Sequence, residues 1–318
     1  MCADPKVSVI VPVFNGAKYI EASIRSALAQ NYANLEIVVV NDGSTDSTSQ
    51  EIESFLNLPN FLYVEQANLG VAAARNKGLL HATGEIIAFL DHDDLWLPHK
   101  IKLQVEYLIS HPEVALVHSN YSAIDATGNP AVLQLSPQWP TNVEGRCFKD
   151  LFTRNRLALL TVLVRKKCLD RAGLFNEQMS AAEDYELWLR LAWYYPFGYM
   201  PERLALYRIH NSNASQNLLN MELMELGAIN SVLAQFPEIP RTIGNRLVRK
   251  RLAELNYVVG SLYMWQEEDF KTARRFFLQS FKARPFHKTS LRRYFWCSLS
   301  APQRRAITWY AHKMRLSP

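Results

Sequence analysis

The sequence predicts an α/β fold in which a mostly parallel sheet carries helices on both faces and an all-helical C-terminal region follows. In the first half of the chain, short apolar runs alternate with stretches whose apolar residues recur every three or four positions. From about residue 216 onward only the helical spacing remains. Strands that alternate with helices are typical of parallel sheets covered on both faces. We therefore expect one domain over residues 1–215 and a basic helical subdomain over residues 216–318.

The individual elements follow from the period of the apolar residues. Gly84 after Thr83 is a plausible helix stop, and Pro98 is tolerated in a first helical turn. The predicted strands are 7–13, 35–40, 61–64, 85–90, 114–117, 160–165 and 204–208. The predicted helices are 17–30, 46–56, 70–82, one that starts at residue 98, and 182–194. Residues 122–157 show neither apolar period, which predicts loops or an irregular segment. Residues 260–285 resemble a single tetratricopeptide helix pair.

Composition and length restrict the class of protein. The chain has 318 residues, of which 48% are hydrophobic and 20% charged, as expected of a folded chain. It contains no apolar stretch long enough to span a bilayer and no signal-peptide core at its start. Its four cysteines lack metal-ligand or disulfide spacing, which favours free thiols in a reducing compartment. We expect a cytoplasmic protein, free or peripheral on the cytoplasmic face of the membrane.

The net charge of +5 is unevenly distributed. Residues 241–318 contain 17 Lys and Arg but 4 Asp and Glu, which gives +13 and leaves −8 for residues 1–240. The acidic residues 1–240 suit metal and phosphate chemistry. The basic residues 241–318, which we call the basic tail, suit an anionic partner. The tail also fits a helical subdomain with solvated cationic faces. An anionic membrane surface is the sharper hypothesis, and nucleic acid is not expected as a partner.

The strongest candidate site is the acidic cluster Asp91-His92-Asp93-Asp94 at the end of a predicted strand. Carboxylates two positions apart on an extended segment point to one side, so Asp91 and Asp93 can face one divalent cation. Their mutual repulsion would be relieved by that ion and a phosphate-bearing ligand. The same residues also suit a solvated turn whose acids cap the next helix.

Other polar residues also follow predicted strands or begin a predicted helix, and ligands of open parallel sheets bind beyond the carboxyl ends of the strands. Asn15 follows the first strand and Asp42 the second; Asp42 suits a base or ribose contact, or only a turn before Gly43. Arg75 could supply charge for a phosphate. Asp184 suits a general base or an acid favoured by a helix N-terminus, and His210 suits a metal ligand or a structural role.

Taken in order, these motifs resemble those of the family 2 inverting glycosyltransferases. The series is VIVPVFN from Val9, VVNDGSTD from Val39, NLG from Asn68 with ARN from Ala74, FLDHDD from Phe89, ED at 183–184 and YRIH from Tyr207. The resemblance covers residues 7–210. It implies a GT-A (Rossmann-like) fold, with a donor half over residues 1–121 and an acceptor half over residues 122–215. It also implies a nucleotide-sugar donor, most often a UDP-sugar, and Mn²⁺ or Mg²⁺ as cofactor.

The resemblance assigns roles to individual residues. It implies that Asp184 is the catalytic base. It implies that Asp91 and Asp93 are the first and last residues of the DxD motif, with Asp91 facing the ribose and the metal and Asp93 facing the metal. It also implies that His210 meets the metal or the diphosphate. The residues implied to bind the donor are Pro12, Phe14, Asn15, Asp42, Arg75 and Asp91. The Gln-x-x-Arg-Trp motif of processive synthases is missing after Asp184. The resemblance therefore implies transfer of one sugar to a hydroxyl of a glycan or lipid-linked saccharide.

Two other classes of function stay open at this stage. A metal-dependent sugar nucleotidyltransferase could use a similar sheet and acid pair, but it would not require the Glu183-Asp184 pair. A non-catalytic nucleotide-sugar-binding module would be expected to lack one of Asp91, Asp93 or Asp184, and the chain has all three.

Overall fold

The computed structural model describes residues 4–131, 142–213, 216–285 and 288–304. The chain forms two compact units, Met1–Gln216 and Asn217–Pro318. The division lies one residue after the boundary proposed from the change of pattern.

The first unit is built on one mixed sheet. Its described strands are β1 (Val7–Val13), β2 (Leu35–Asn41), β3 (Phe61–Glu65), β4 (Ile86–Phe89), β5 (Leu95–Trp96), β6 (Leu116–Ile124), β7 (Pro130–Ala131), β8 (Leu163–Arg165) and β9 (Phe197–Arg208). Their order is β3-β2-β1-β4-β8-β6-β9-β5, with β7 paired to β6. Strands β1 to β4 are mutually parallel, as are β6 and β9, whereas β8 is antiparallel to both neighbours and β5 is antiparallel to β9.

Helices cover both faces of the parallel part, as the alternation of patterns predicts. The helices of this unit are α1 (Ile20–Leu28), α2 (Thr48–Ile52), α3 (Val71–His81), α4 (Lys100–Ser110), α5 (Phe148–Thr153), α6 (Lys166–Ala172) and α7 (Glu183–Tyr194). Ile37 and Val39 of β2 lie in the core cluster that includes α1, whereas Val38 and Val40 pack against Ala74 of α3. Successive residues of a strand point to opposite faces, so the apolar run of β2 serves both cores.

The differences from the predicted elements lie where pairing partners are distant in sequence. Strand β6 continues to Ile124, beyond the predicted end at residue 117, because it pairs along β9. The two-residue β5 pairs with β9, which lies more than 100 positions later in the sequence, and β5 is too short to show the period of a strand. Helices α5 and α6 carry too few turns to show a clear apolar stripe. Part of the predicted irregular segment, residues 132–141, lies outside the described residues.

Gly84 is needed for a close approach and not for a helix stop. Helix α3 ends at His81 and its C-cap, Ala82, is extended. A Cβ on Gly84 would lie 2.7 Å from the carbonyl oxygen of Lys6 and 2.7 Å from the backbone nitrogen of Ser8. Because these are backbone atoms at the start of β1, they cannot rotate away. Gly84 therefore lets the chain enter β4 directly beside β1.

We expect Gly84→Ala to lower the free energy of unfolding by about 1–3 kcal/mol, as overpacking of a tight contact does. Gly227→Ala is the matched control, since a Cβ there meets nothing within 4 Å inside helix 218–235. The control should be neutral or stabilising by about 0.5–1 kcal/mol. Urea denaturation of both variants measures the difference, and an unchanged midpoint for Gly84→Ala would show that β1 and β4 can separate locally.

The second unit is entirely helical in its described part. Its helices are α8 (Leu218–Gln235), α9 (Ile239–Ile243), α10 (Asn245–Trp265), α11 (Phe270–Ala283) and α12 (Lys288–Ser298). Met264, Ala273, Phe277 and Cys297 form its small core, and Asp269 caps α11 by accepting from the Thr272 backbone N–H at 3.0 Å. Helices α10 and α11 thus form the pair that resembles a tetratricopeptide repeat. Among the described helices of either unit, none is long and apolar enough to cross a membrane.

Candidate active site

The loops after β1 and β2 are joined by hydrogen bonds into one wall. Asn15 adopts a left-handed conformation with φ of 50°. Its backbone N–H donates to Ser44 Oγ at 2.9 Å, and its side-chain Oδ1 accepts from the Thr45 backbone N–H at 2.8 Å. The Gly16 N–H donates to Thr48 Oγ1 at 2.9 Å. Asn15 therefore fixes the shape of this wall, a structural role beside its predicted donor contact.

Pro12 and Phe14 differ in their exposure. Pro12 is buried within β1, so its side chain supports the wall from inside the sheet. Phe14, one position beyond β1, is 43% exposed. An exposed aromatic ring at a strand end is available for contact with a ligand. The predicted donor contact is therefore sterically open for Phe14, whereas the buried Pro12 side chain lies inside the sheet.

Asp42 organises the loop of residues 66–70. Its Oδ1 accepts from Gln66 Nε2 at 2.7 Å and from the Leu69 backbone N–H at 2.9 Å, and its Oδ2 accepts from the Gly70 N–H at 2.9 Å. The residue is 3% exposed. Gly43, with φ of 76°, lets the two loops touch, since a Cβ there would lie 2.8 Å from the Asn68 backbone nitrogen. The Asp42 carboxylate thus already accepts hydrogen bonds within the protein, and its contact with the base of a nucleotide stays a prediction.

The acidic cluster after β4 forms a turn. The Asp94 backbone N–H donates to the Asp91 carbonyl at 3.1 Å, so these residues are not extended and strand alternation does not set their directions. Asp91 Oδ1 accepts from Arg75 Nη2 at 2.7 Å, and Asp93 Oδ2 lies 2.8 Å from His210 Nε2. Asp94 Oδ1 accepts from the Arg208 backbone N–H at 2.9 Å. The three carboxylates therefore engage three different partners.

Asp94 is the structural member of the cluster. It is 2% exposed, and burial together with the charges of Asp93 and Asp91 raises its pKa well above its usual range. Its bond to Arg208 joins the turn to the end of β9. Arg208 Nε also donates to the Asp93 carbonyl at 2.8 Å. These contacts bring the end of β9, and with it His210, to the acidic turn.

His210 is held at this site by several contacts. Besides Asp93, its ring faces Ser212 Oγ at 2.8 Å through Nδ1 and lies against the Tyr19 ring at a centroid distance of 5.1 Å. The Arg208 guanidinium lies 4.8 Å from the centroid of the Tyr19 ring. The structure therefore brings together Asp93 and His210, which the sequence separates by 117 positions.

Arg75 connects the acidic turn to the start of α7. Its guanidinium pairs with Asp91 and with Glu183, and its side chain is 5% exposed. Burial lowers the pKa of Arg75, but the charges of Asp91 and Glu183 outweigh burial and raise it. The ring centroid of Phe175 lies 5.6 Å from the guanidinium. Arg75 is thus a buried cation that joins two carboxylates. The sequence predicted that its charge would contact a phosphate, and in this structure that charge is already paired.

Asp184 lies next to this link in the first turn of α7. Ala182, the N-cap, is left-handed with φ of 55°, a conformation that costs a non-glycine residue about 1–2 kcal/mol. Asn76 of α3 holds the loop that precedes α7. Its side chain accepts from the Phe175 backbone N–H and donates to the Phe175 carbonyl, both at 2.9 Å. Burial and the neighbouring Glu183 carboxylate raise the pKa of Asp184 to about 7. A carboxyl with this pKa can take a proton near neutral pH.

A divalent cation in a protein needs several oxygen or nitrogen ligands at one position. Among the residues that the structure describes, no group of three His, Cys, Asp or Glu side chains is placed to hold one ion. Asp93 and His210 nevertheless offer one oxygen and one nitrogen ligand at a shared position. Mg²⁺ is commonly held by one or two carboxylates together with substrate phosphates and water. A divalent cation at Asp93 and His210 would need its remaining ligands from water and from a bound phosphate group.

Sequence reasoning left several site residues without a role. The partners of Glu183, Asp94, Arg208 and Tyr19 lie far away in the sequence, so no local pattern predicts these contacts. The one usable signal is that Glu183, Asp94 and Arg208 lie inside the ordered motifs.

Known proteins match this chain in sequence and in fold. Residues 8–168 match the sequence profile described as Glycosyl transferase family 2. An uncharacterized glycosyltransferase of Rickettsia felis is 33% identical over 219 residues, which cover 68% of the chain and 36% of that protein. The chain thus spans about a third of the length of this relative. The UDP-Glc:alpha-D-GlcNAc-diphosphoundecaprenol beta-1,3-glucosyltransferase WfgD of Escherichia coli is 33% identical over 189 residues, covering 59% of the chain and 70% of that enzyme.

A solved structure shares the fold. The crystal structure of residues 1–349 of TarS from S. aureus, in complex with UDP-GlcNAc, superposes with a TM-score of 0.61 at 20% identity. The match covers 94% of the chain and 92% of TarS 1–349. The predicted GT-A fold with a C-terminal helical region is confirmed, with antiparallel strands in its second half.

Proposed function

Since the chain belongs to glycosyl transferase family 2, we propose that it moves one sugar from a nucleotide-sugar, with UDP as the favoured nucleotide, to an acceptor hydroxyl with inversion. One observation carries the proposal. The chain of contacts from Asp91 through Arg75 to Glu183 joins the acidic turn to Asp184, whose pKa of about 7 suits a base. The glucosyltransferase WfgD and TarS, named with UDP-Glc and with UDP-GlcNAc, support a UDP-sugar donor.

The chemistry assigned to the protein is a single displacement. Asp184 takes the proton of the acceptor hydroxyl while the hydroxyl oxygen bonds to the anomeric carbon and the bond to the diphosphate breaks on the opposite face. General-base catalysis of this kind contributes about 10²–10⁴ to the rate. No protein nucleophile is required, and inversion at the anomeric carbon follows from attack on the opposite face.

Donor binding is assigned to the wall after β1 and β2, with Phe14, Asn15 and Asp42, and to the acidic turn. A divalent metal, Mn²⁺ or Mg²⁺, would be held by Asp93 and His210 and, when bound, would neutralise charge on the leaving diphosphate. Asp91, whose side chain is 32% exposed, stays beside them through its bond to Arg75 and can meet the ribose.

The acceptor is proposed to be a hydroxyl of a glycan or a lipid-linked saccharide. The relative WfgD, named for a diphosphoundecaprenol-linked acceptor, supports the lipid-linked choice. The absence of a Gln-x-x-Arg-Trp sequence after Asp184 supports transfer of one sugar. A cytoplasmic location and contact of the basic tail with an anionic membrane both stay predictions.

Product analysis tests the reaction class. The chain would be incubated with a panel of UDP-sugars, Mn²⁺ and saccharide acceptors. A glycosyltransferase releases nucleoside diphosphate, whereas a nucleotidyltransferase releases pyrophosphate. Release of UDP with an inverted anomeric centre in the product supports the proposal, and release of pyrophosphate contradicts it. Binding of donors without any product on the panel would favour a non-catalytic binding module.

We expect Asp93→Ala to abolish the enhancement of UDP binding by Mn²⁺, because Asp93 supplies the oxygen ligand beside His210. Calorimetric titration of UDP with and without Mn²⁺ measures the enhancement. Asp125→Ala is the control, since Asp125 caps its own turn by accepting from the Thr127 and Asn129 backbone N–H groups. An undiminished enhancement in Asp93→Ala would remove Asp93 from the metal site.

We expect Glu183→Gln to shift the pH dependence of transfer. Glu183 raises the pKa of Asp184, so removing its charge should lower that pKa from about 7. Because the base must be ionised, kcat/KM rises with pH through this pKa, and the rise should move to lower pH in the variant. Profiles measured between pH 5 and 9 with saturating metal decide the point. An unmoved rise would assign it to a group other than Asp184.

A further inference from the structure

The N-terminal end of α10 and the C-terminal end of α11 enclose a groove of about 780 Å³ within the second unit. We call it the α10–α11 groove, and its wall is made mostly of carbon atoms. The residues that line it are Asn245, Arg246, Arg249, Lys250, Ala283, Arg284 and Pro285. Four of these seven carry a positive charge, and none carries a negative one.

The cations at the groove have few acidic partners. Among the described residues, no carboxylate pairs with Arg246, Arg249 or Arg284. Lys250 has a partner in Glu254 at 3.7 Å, but both side chains are about half exposed (56% and 49%), so the pair is weak. Arg249 Nε donates to the Ala283 carbonyl at 2.8 Å, which fixes its guanidinium between the two helix ends. Within the part of the second unit that the structure describes, the remaining guanidinium donors of Arg249 have no acceptor.

Helix stability does not explain Arg246, which lies in the first turn of α10, where the helix dipole is positive and a cation is unfavourable. Arg249 instead donates to the last carbonyl of α11, and Lys250 pairs with Glu254 one turn along α10. The N-cap is Gly244, with no side chain to accept from the first N–H groups. Mutual repulsion among the cations destabilises this end of α10 further. An anion in the groove would relieve both effects at once.

We propose that the α10–α11 groove binds a phosphate or diphosphate group. Arginine forks match phosphate oxygens in pairs, and three arginines around one groove favour phosphate over a single carboxylate. The carbon-lined wall suits the organic part of a phosphate ester. The group can belong to a lipid headgroup or to a soluble phosphate compound. The proposal lies outside the catalytic carboxylates and stands whether or not the proposed transfer is correct.

The test compares two charge-matched variants of the full chain. Arg246→Gln/Lys250→Gln removes two groove charges four positions apart on α10. Lys271→Gln/Arg275→Gln removes the same residue types at the same spacing from exposed positions on α11 outside the groove. The probe is inorganic pyrophosphate, titrated by calorimetry in metal-free buffer. Binding of pyrophosphate at the donor site would be common to both variants, so their difference reports the groove.

We expect the groove variant to bind pyrophosphate about tenfold more weakly than wild type, a change typical of losing a charged contact. The control variant should match wild type. Arg284→Gln, on the opposite wall, should repeat the loss and guards against a folding defect in the first variant. Equal weakening in groove and control variants, or equal affinity in all proteins, would overturn the proposal, as would the absence of any binding to wild type.

A vesicle arm identifies the source of the phosphate. The same proteins are co-sedimented with phosphatidylglycerol and with phosphatidylcholine vesicles at low salt. Loss of phosphatidylglycerol binding in the groove variant alone supports the groove and assigns a lipid headgroup. A groove-dependent pyrophosphate affinity without groove-dependent vesicle binding supports the groove and assigns a soluble phosphate compound. Transfer activity and UDP affinity, measured on each variant, show separately whether the proposed function holds.

Discussion

Asp184→Asn should keep UDP affinity and lose transfer by a factor of about 10²–10⁴, as removal of a general base does. Asparagine preserves the size of the side chain but cannot take a proton. Turnover at saturating donor and UDP titration measure the two effects. Asp170→Asn, an exposed acid on α6, is the matched control and should retain wild-type turnover. Wild-type turnover in Asp184→Asn would refute the base assignment, and a large loss of UDP affinity would assign Asp184 to the donor.

Stability distinguishes lost chemistry from lost folding in this variant. Burial and Glu183 raise the pKa of Asp184 from 3.8 to about 7. The folded chain therefore holds this proton more tightly than the unfolded chain, and the stability it gives is lost as pH rises through 7. Asparagine does not ionise, so Asp184→Asn should be at least as stable as wild type at pH 8. Thermal melting at pH 5 and pH 8 should show the advantage of the variant growing with pH.

Much of the site follows from the sequence because strand ends are local features. Asn15 and Asp91 come directly after apolar runs, and Asp42 follows another after one intervening residue. Parallel pairing of β1 with β2 and β4 brings those ends to one edge. Apolar period and chain order are sufficient for this part of the fold. Asp184 was also marked locally, as an acid at the start of an amphipathic helix.

The bonds between these side chains could not be predicted in the same way. Arg75 and Glu183 are 108 positions apart, and Arg208 and Asp94 are 114 apart. Such pairs depend on where β8, β9 and α7 pack. Strand β8 joins the sheet by antiparallel pairing, β9 pairs with the distant β6, and α7 precedes β9. Residues 91–94 also form a turn whose directions a strand pattern does not give. The strand pattern thus locates the carboxylates but not the partners that orient them.

Arg75→Met should lower the free energy of unfolding by about 3–5 kcal/mol, the cost of removing one partner from a buried ion pair. Methionine keeps much of the volume but leaves Asp91 and Glu183 without their cation, and the Glu183 side chain is 8% exposed. Urea denaturation measures the loss. Arg25→Met is the control, since Arg25 pairs with Glu21 at 2.7 Å on the surface, with side chains 63% and 47% exposed. That change should cost less than about 1 kcal/mol.

A second substitution separates the ion pair from general packing. In Arg75→Met/Glu183→Gln the carboxylate left unpaired is replaced by a neutral amide, so part of the lost stability should return. If the double variant is as unstable as the sum of the single variants, the pair with Glu183 does not stabilise the site, and the loss in Arg75→Met comes from Asp91 or from packing against Phe175. If stability returns but transfer does not, the buried charges have a role in catalysis beyond folding. Because Arg75 joins the turn that carries Asp91 to the helix that carries Asp184, that outcome would mean that the ion pair keeps donor and base in register.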